Sequence, residues 1–126
     1  QYTIMSAPTT AQVAAVAAIV VGEPHVEEMR QEYDRRRRLI VGGFNQLGLT
    51  CFEPRGAFYA FPNISASGMD DTVFAETLLA EEQVAMVPGS AFGKSGAGFA
   101  RASYATKYEK IEQALERLHN FMQRHG

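Results

Sequence analysis

Apolar residues recur along this chain with two different periods. Val26, Met29, Tyr33, Ile40, Phe44 and Leu47 follow one another at three-, four- and seven-residue steps. That spacing draws one stripe along a long helix. Pro24 suits the first turn of that helix and Gly48 its C-terminal cap. Upstream, Ala11 to Val21 reads as a short apolar helix behind a possible capping box, Thr9-x-x-Gln12, and Gly22 ends it. A third helix is expected from Thr72 to about Glu82, with Phe74, Leu78 and Leu79 inward. The loop before it, Ser65 to Asp71, supplies an aspartate cap. Thr106-Lys-Tyr-Glu109 is a second capping-box pattern, opening a last helix whose inner stripe is Ile111, Leu115, Leu118 and Met122.

The remaining apolar runs are short. Thr50 to Glu53 and Ala57 to Ile64 are strand candidates split by Pro54-Arg-Gly56. Val84 to Val87 and Phe99 to Tyr104 are two more. About four such strands cannot stand alone and need helices over one face. The fold expected is a two-layer α/β sandwich with a small mixed or antiparallel sheet. No repeat or low-complexity segment interrupts it.

Composition narrows the function classes. A length of 126 residues suits one domain, large enough to bury roughly two-thirds of its unfolded surface. Hydrophobic content of 46%, charged content of 21% and a net charge of −2 are ordinary, with no global case for nucleic acid or an anionic membrane. The longest apolar run, Val13 to Val21, is too short to span a bilayer. One cysteine, Cys51, excludes an internal disulfide and a cysteine-based metal site, and reads as a reduced, buried small hydrophobe. No signal peptide is visible, so cytoplasm is the default. A start at Gln1 rather than Met reads as a piece of a longer protein.

The chemistry concentrates between Val84 and Tyr104. Here a strand ends at Pro88-Gly89, a loop with three glycines runs from Ser90 to Gly98, and a second strand carries Arg101 among alanines and aromatics. Glycines let backbone approach a small ligand closely. Arginine is almost never buried unpaired. Its planar fork matches a carboxylate bidentately. Arg101 is therefore the first candidate for an anion site, with a structural pairing to a carboxylate of the domain itself as the alternative.

Other patterns are weaker. Gly89-x-x-x-Gly93-Lys94-Ser95 falls one residue short of a phosphate-binding P-loop, and a strand rather than a helix follows it. A flexible turn is the better reading. Arg35 to Arg38 point in four directions on a helix, with Glu27, Glu28, Glu32 and Asp34 at ion-pairing steps, as on a solvated surface. His25, His119 and His125 have no partners at metal-ligand spacing, so no metal site is expected. Ser90 and Ser103 lack a nearby histidine for a nucleophile relay. Tyr59 and Phe61 alternate with Phe58 and Ala60, and core packing is their default role, with one aromatic facing a cleft as the alternative.

Three stretches, taken in order, carry a family resemblance. Val84 to Tyr104 holds V-x-x-V-P-G-S-x-F-G, glycines and then a strand with arginine. Tyr2 to Gln12 resembles the segment leading from a large domain into a small one. Pro54-Arg-Gly-Ala-Phe-Tyr-Ala-Phe61 resembles a glycine-aromatic small-domain strand. Together they resemble the C-terminal part of fold-type I pyridoxal-phosphate enzymes, the class I/II aminotransferases, and the likeness covers essentially the whole chain, residues 1–126.

The resemblance implies that Arg101 holds the α-carboxylate of an amino-acid substrate. It also implies a parent transaminase of the aspartate/aromatic subgroup, exchanging an amino group between an L-amino acid and a 2-oxo acid such as 2-oxoglutarate. Pyridoxal 5'-phosphate would be the cofactor, and a homodimer the assembly, with Ser6-Ala7-Pro8 either approaching the neighbouring subunit's cleft or serving as a plain helix entry. An α-oxoamine synthase or lyase of the same fold type, or a non-catalytic anion-binding module, are the alternatives. One departure stands out. The family's Schiff-base lysine has no counterpart, because the only lysines, Lys94, Lys107 and Lys110, lie in a glycine loop and beside a helix start. The chain is thus expected to be a small domain without catalytic residues of its own, inactive alone, with the large domain and most of the cofactor's contacts upstream.

Overall fold

The computed structural model describes residues 5–126. Tyr2 to Ile4, part of the domain-entry resemblance, lie outside the described residues. The chain divides into two compact units, the first ending at Glu32 and the second comprising Tyr33–Gly126.

Helix α1 (Thr9–Val21), in the first unit, is followed at once by α2 (Glu23–Gln46), whose first turns belong to that unit and whose later turns belong to the second. Gly22 joins them and donates its N–H to Ala18 O at 3.0 Å. Pro24 falls in the first turn of α2, as the sequence predicts. The Thr9-x-x-Gln12 capping box does not form. Pro8 is the cap residue, Thr9 is already helical, and Gln12 Nε2 instead donates to Ala7 O at 2.8 Å. No residue of α1 is buried, and Val13, Val16, Ile19 and Val20 are exposed. Val26 and Met29, assigned to the inner stripe of α2, are exposed as well. Within the second unit the same stripe packs as expected: Ile40, Val41 and Phe44 are buried, and Tyr33 and Leu47 flank the core.

The second unit contains a three-stranded antiparallel sheet in the order β1 (Tyr59–Ala60), β3 (Ala100–Ser103), β2 (Val87–Pro88). Helices α3 (Asp71–Glu82) and α4 (Tyr108–His125) complete it. The strands are shorter than the apolar runs suggest, and two of those runs contain or adjoin a proline. Pro62 and Pro88 bring no N–H to the ladder. The pairing nevertheless continues past β1 without a slip of register. Tyr104 N donates to Phe58 O at 2.9 Å, Ala100 N to Pro62 O at 3.1 Å and Ile64 N to Gly98 O at 2.9 Å. Thr50 to Glu53 is not a strand. Cys51 is buried there because the side chain of Asn45 takes both its backbone groups, accepting from Cys51 N at 2.9 Å and donating to its carbonyl at 3.3 Å.

The core lies on one face of the sheet. Ala60, Ala100 and Tyr104 meet Ile40 and Phe44 of α2, Phe74 and Leu78 of α3, and Ile111, Leu118 and Phe121 of α4 in one cluster. Phe74 and Phe121 meet edge to face with centroids 5.5 Å apart. Removing a ring buried this deeply costs about 3–5 kcal/mol. Leu79, expected inward on α3, is 52% exposed. Asp70 caps α3 by accepting from Thr72 N at 2.9 Å. The capping box Thr106 to Glu109 is absent. Lys107 is the cap residue and no side chain caps the helix, because α4 begins one residue too late for the Thr106 hydroxyl.

Candidate functional site

Alternation along β3 decides what Arg101 can do. Ala100 and Ala102 point into the core, whereas Arg101 is half-buried and Ser103 exposed on the opposite, open face. Arg101 pairs across the ladder with Val87, and its neighbour Ser103 pairs with Tyr59. The guanidinium carbon of Arg101 lies over the Tyr59 ring, 4.3 Å from its centroid, and over the Phe92 ring at 4.5 Å. A second aromatic layer backs these. Phe61 stacks on Phe99 at 5.5 Å with the rings 8° from parallel, and meets Phe92 edge-on at 6.1 Å. Tyr59 and Phe61 are therefore not core residues, contrary to their default reading. The buried positions of that stretch are Ala60 and Pro62.

Among the described residues no hydrogen bond or ion pair engages the Arg101 guanidinium. The structural alternative required a carboxylate of this domain, and none is there. Two rings lie against the cation. A guanidinium's N–H donors lie in its plane, where a carboxylate can meet them.

The glycine loop is more ordered than a flexible turn. It consists of two 3₁₀ turns, Gly89–Phe92 and Lys94–Gly96. Gly89 N donates to Phe99 O at 2.8 Å. Gly89 and Gly96 pack backbone against backbone, so that a Cβ on either would drive into the carbonyl of the other. Gly93 and Gly98 take φ values of +113° and +80°, where a side chain is strained. From α3, the buried carboxylate of Asp71 accepts Ser90 N at 2.6 Å. That backbone N–H holds the Asp71 carboxyl below its ordinary range. The turn bearing Phe92 is thus tied through Gly89 and Ser90. Asp71 was not singled out from the sequence, and Phe92 entered only as the aromatic of the V-x-x-V-P-G-S-x-F-G pattern, with no role of its own.

The other candidates disperse. Lys94 opens a three-residue turn followed by β3, so the near-P-loop pattern has no helix to hold a phosphate. Ser90 gives its backbone to Asp71, and Ser103 Oγ accepts Ala105 N at 3.3 Å. His119 meets Gln123 at 3.0 Å and His125 meets Glu81 at 2.9 Å. Among the described residues no group of His, Cys, Asp and Glu converges as a metal site would require. Arg35 lies over the Tyr108 ring at 3.9 Å, Arg37 pairs with Asp34 and Glu53, and Arg38 pairs with Asp34, as befits a helix surface. Cys51 is buried, and desolvation pushes its thiol up. Lys94, Lys107 and Lys110 are all exposed, and Lys110 Nζ donates to Gln113 at 3.1 Å. None has the apolar enclosure that makes a lysine a nucleophile. The residues present therefore fit the carboxylate of a ligand and do not fit a covalently held pyridoxal phosphate.

Comparison with known proteins shows the family of the chain. An aspartate aminotransferase of Pyrococcus abyssi is 55% identical over 93 residues, covering 74% of this chain and 24% of its own length. An aromatic-amino-acid aminotransferase of Thermococcus litoralis is 50% identical over 93 residues with the same coverage of each. A solved structure of a Pyrococcus protein superposes with a TM-score of 0.91 at 46% identity, over 98% of this chain and 32% of that one. The chain thus spans between about a quarter and a third of the length of these proteins. No described helix is long and apolar enough to cross a membrane. The family model described as aminotransferase class I and II matches residues 1–118, and the chain belongs to that enzyme family.

Proposed function

We propose that this chain is the C-terminal small domain of a transaminase and supplies its grip on the substrate α-carboxylate. The observation that carries the proposal is Arg101: half-buried, flanked by two rings and without an anionic partner among the described residues. A carboxylate meeting that fork in its plane forms a bidentate, charge-assisted pair. One end of an amino acid or 2-oxo acid is then fixed, which orients the bond to be broken at Cα. The relatives named for aspartate and aromatic amino acids support a substrate of one of those two types, and the family resemblance implies 2-oxoglutarate as the second partner.

Pyridoxal 5'-phosphate, when bound, supplies the electron sink for this chemistry. The lysine and the cofactor's other contacts belong, on this reading, to a large domain beyond this chain. The small domain moves over the substrate and excludes water. The assembly is a homodimer, as the family resemblance implies. The test is made in the full-length enzyme. Arg101→Ala lowers kcat/KM by about two to four decades, and Arg101→Lys by less, with unfolding unchanged. An Arg101→Ala enzyme within a few-fold of the parent would defeat the reading.

A further inference from the structure

We infer that Phe92 and Tyr59 are positioning residues, which set the plane of the Arg101 guanidinium and through it the direction from which a carboxylate is bound. The inference rests on the reading of Arg101 as the carboxylate grip. Arginine ends a long, rotamer-rich side chain, and β3 fixes only its Cα. No hydrogen bond or ion pair among the described residues fixes its head. What touches the head is two rings, with centroids 4.3 and 4.5 Å from the guanidinium carbon. A ring over its face leaves the in-plane donors untouched, and those are the donors a bidentate carboxylate needs.

Phe92 has no other evident task. It is 52% exposed and is not a core residue. Yet the turn that carries it is held by the Asp71–Ser90 hydrogen bond, by the Gly89–Phe99 hydrogen bond and by the Gly89–Gly96 backbone contact. Phe61 braces its edge at 6.1 Å.

The experiment is steady-state kinetics and thermal unfolding of the full-length enzyme with Phe92→Leu, Tyr59→Leu and Phe92→Tyr. Loss of one flanking ring raises KM for the amino donor by about 5- to 20-fold while kcat stays within about threefold. Phe92→Tyr, which keeps a ring face, returns KM to within about twofold of the parent. In an Arg101→Ala background Phe92→Leu adds nothing further, because the two residues act as one unit. Phe92→Leu leaves the unfolding temperature in place, and Tyr59→Leu provides the second reading should the turn be disturbed. Unchanged KM in both leucine variants, beside a damaged Arg101→Ala enzyme, overturns the inference alone. A KM increase that persists in the Arg101→Ala background overturns it too, since the rings would then touch the ligand directly. An undamaged Arg101→Ala enzyme removes the carboxylate reading, and this inference with it.

Discussion

Arg37 and Arg101 are the same residue type in two settings, and the contrast shows which arginine serves the fold. Arg37 has a side chain only 17% exposed and lies 2.6 Å from Asp34, with Glu53 as a second carboxylate partner. Those hydrogen bonds, Glu53 first, raise its already high pKa further. Its charge is answered inside the domain. Arg101 is also half-buried, but it meets Tyr59 and Phe92 and no carboxylate among the described residues. Burying a charge unpaired is costly. The chain pairs one arginine twice and leaves the other to aromatic rings, and that difference is why the second is the one proposed to hold a substrate carboxylate.

The contrast breaks first on substitution. Arg101→Ala is expected to cost about two to four decades of kcat/KM with little change in the denaturation midpoint. Arg37→Met should do the reverse, lowering the midpoint while kcat/KM stays within about twofold. Parallel denaturant titrations and kinetics on both variants check it. Equal effects of the two substitutions on activity would erase the distinction.

A smaller effect tests the turn beside Arg101. The Asp71 carboxyl is held below its ordinary value chiefly by the N–H of Ser90, with burial working the other way. Its stabilising contribution is therefore present above the unfolded-state pKa, near 3.9 for an aspartate. It is lost as pH falls through the lower folded value. Unfolding midpoints measured from about pH 5 down to about pH 2 should decline less steeply in Asp71→Asn than in the parent. The Asn variant should start from a lower midpoint at neutral pH. An acid limb identical in the two proteins would mean that the Asp71–Ser90 bond holds nothing in place.

The smallest expected effect is none. Lys94 is exposed, and its turn carries no helix. Lys94→Ala should leave turnover unchanged, and calorimetric titration with ATP should show no saturable binding to either form. Saturable nucleotide binding abolished by Lys94→Ala would shift the anionic site from Arg101 to the loop.

Much of this was legible in the sequence because alternation and helical spacing are local. The apolar run from Phe99 to Tyr104 marked a strand carrying Arg101, and β3 is where the structure has it; that Arg101 faces away from the alanines is seen only in the structure. The stripe from Tyr33 to Leu47 and that of α4 were likewise plain. Local signals failed wherever a distant partner decides the outcome. Cys51 is buried through the side chain of Asn45, not through a strand. Both capping boxes were lost to a shift of one residue in where a helix starts. Tyr59 and Phe61 could be assigned to a strand, but which face is covered depends on helices far along the chain. The Asp71–Ser90 hydrogen bond joins residues 19 apart, and no spacing rule points to it. Phe92 sits in a turn, where periodicity carries no information.

The central claim is that the missing partner of Arg101 is the α-carboxylate of a substrate. The most direct measurement compares an L-amino acid with its α-carboxamide, which keeps the shape and removes the charge, in the parent enzyme and in Arg101→Ala. The parent should prefer the acid by about two decades or more in kcat/KM, and the variant should bring that ratio close to one. A variant that discriminates between acid and amide as sharply as its parent would show that another group reads the carboxylate.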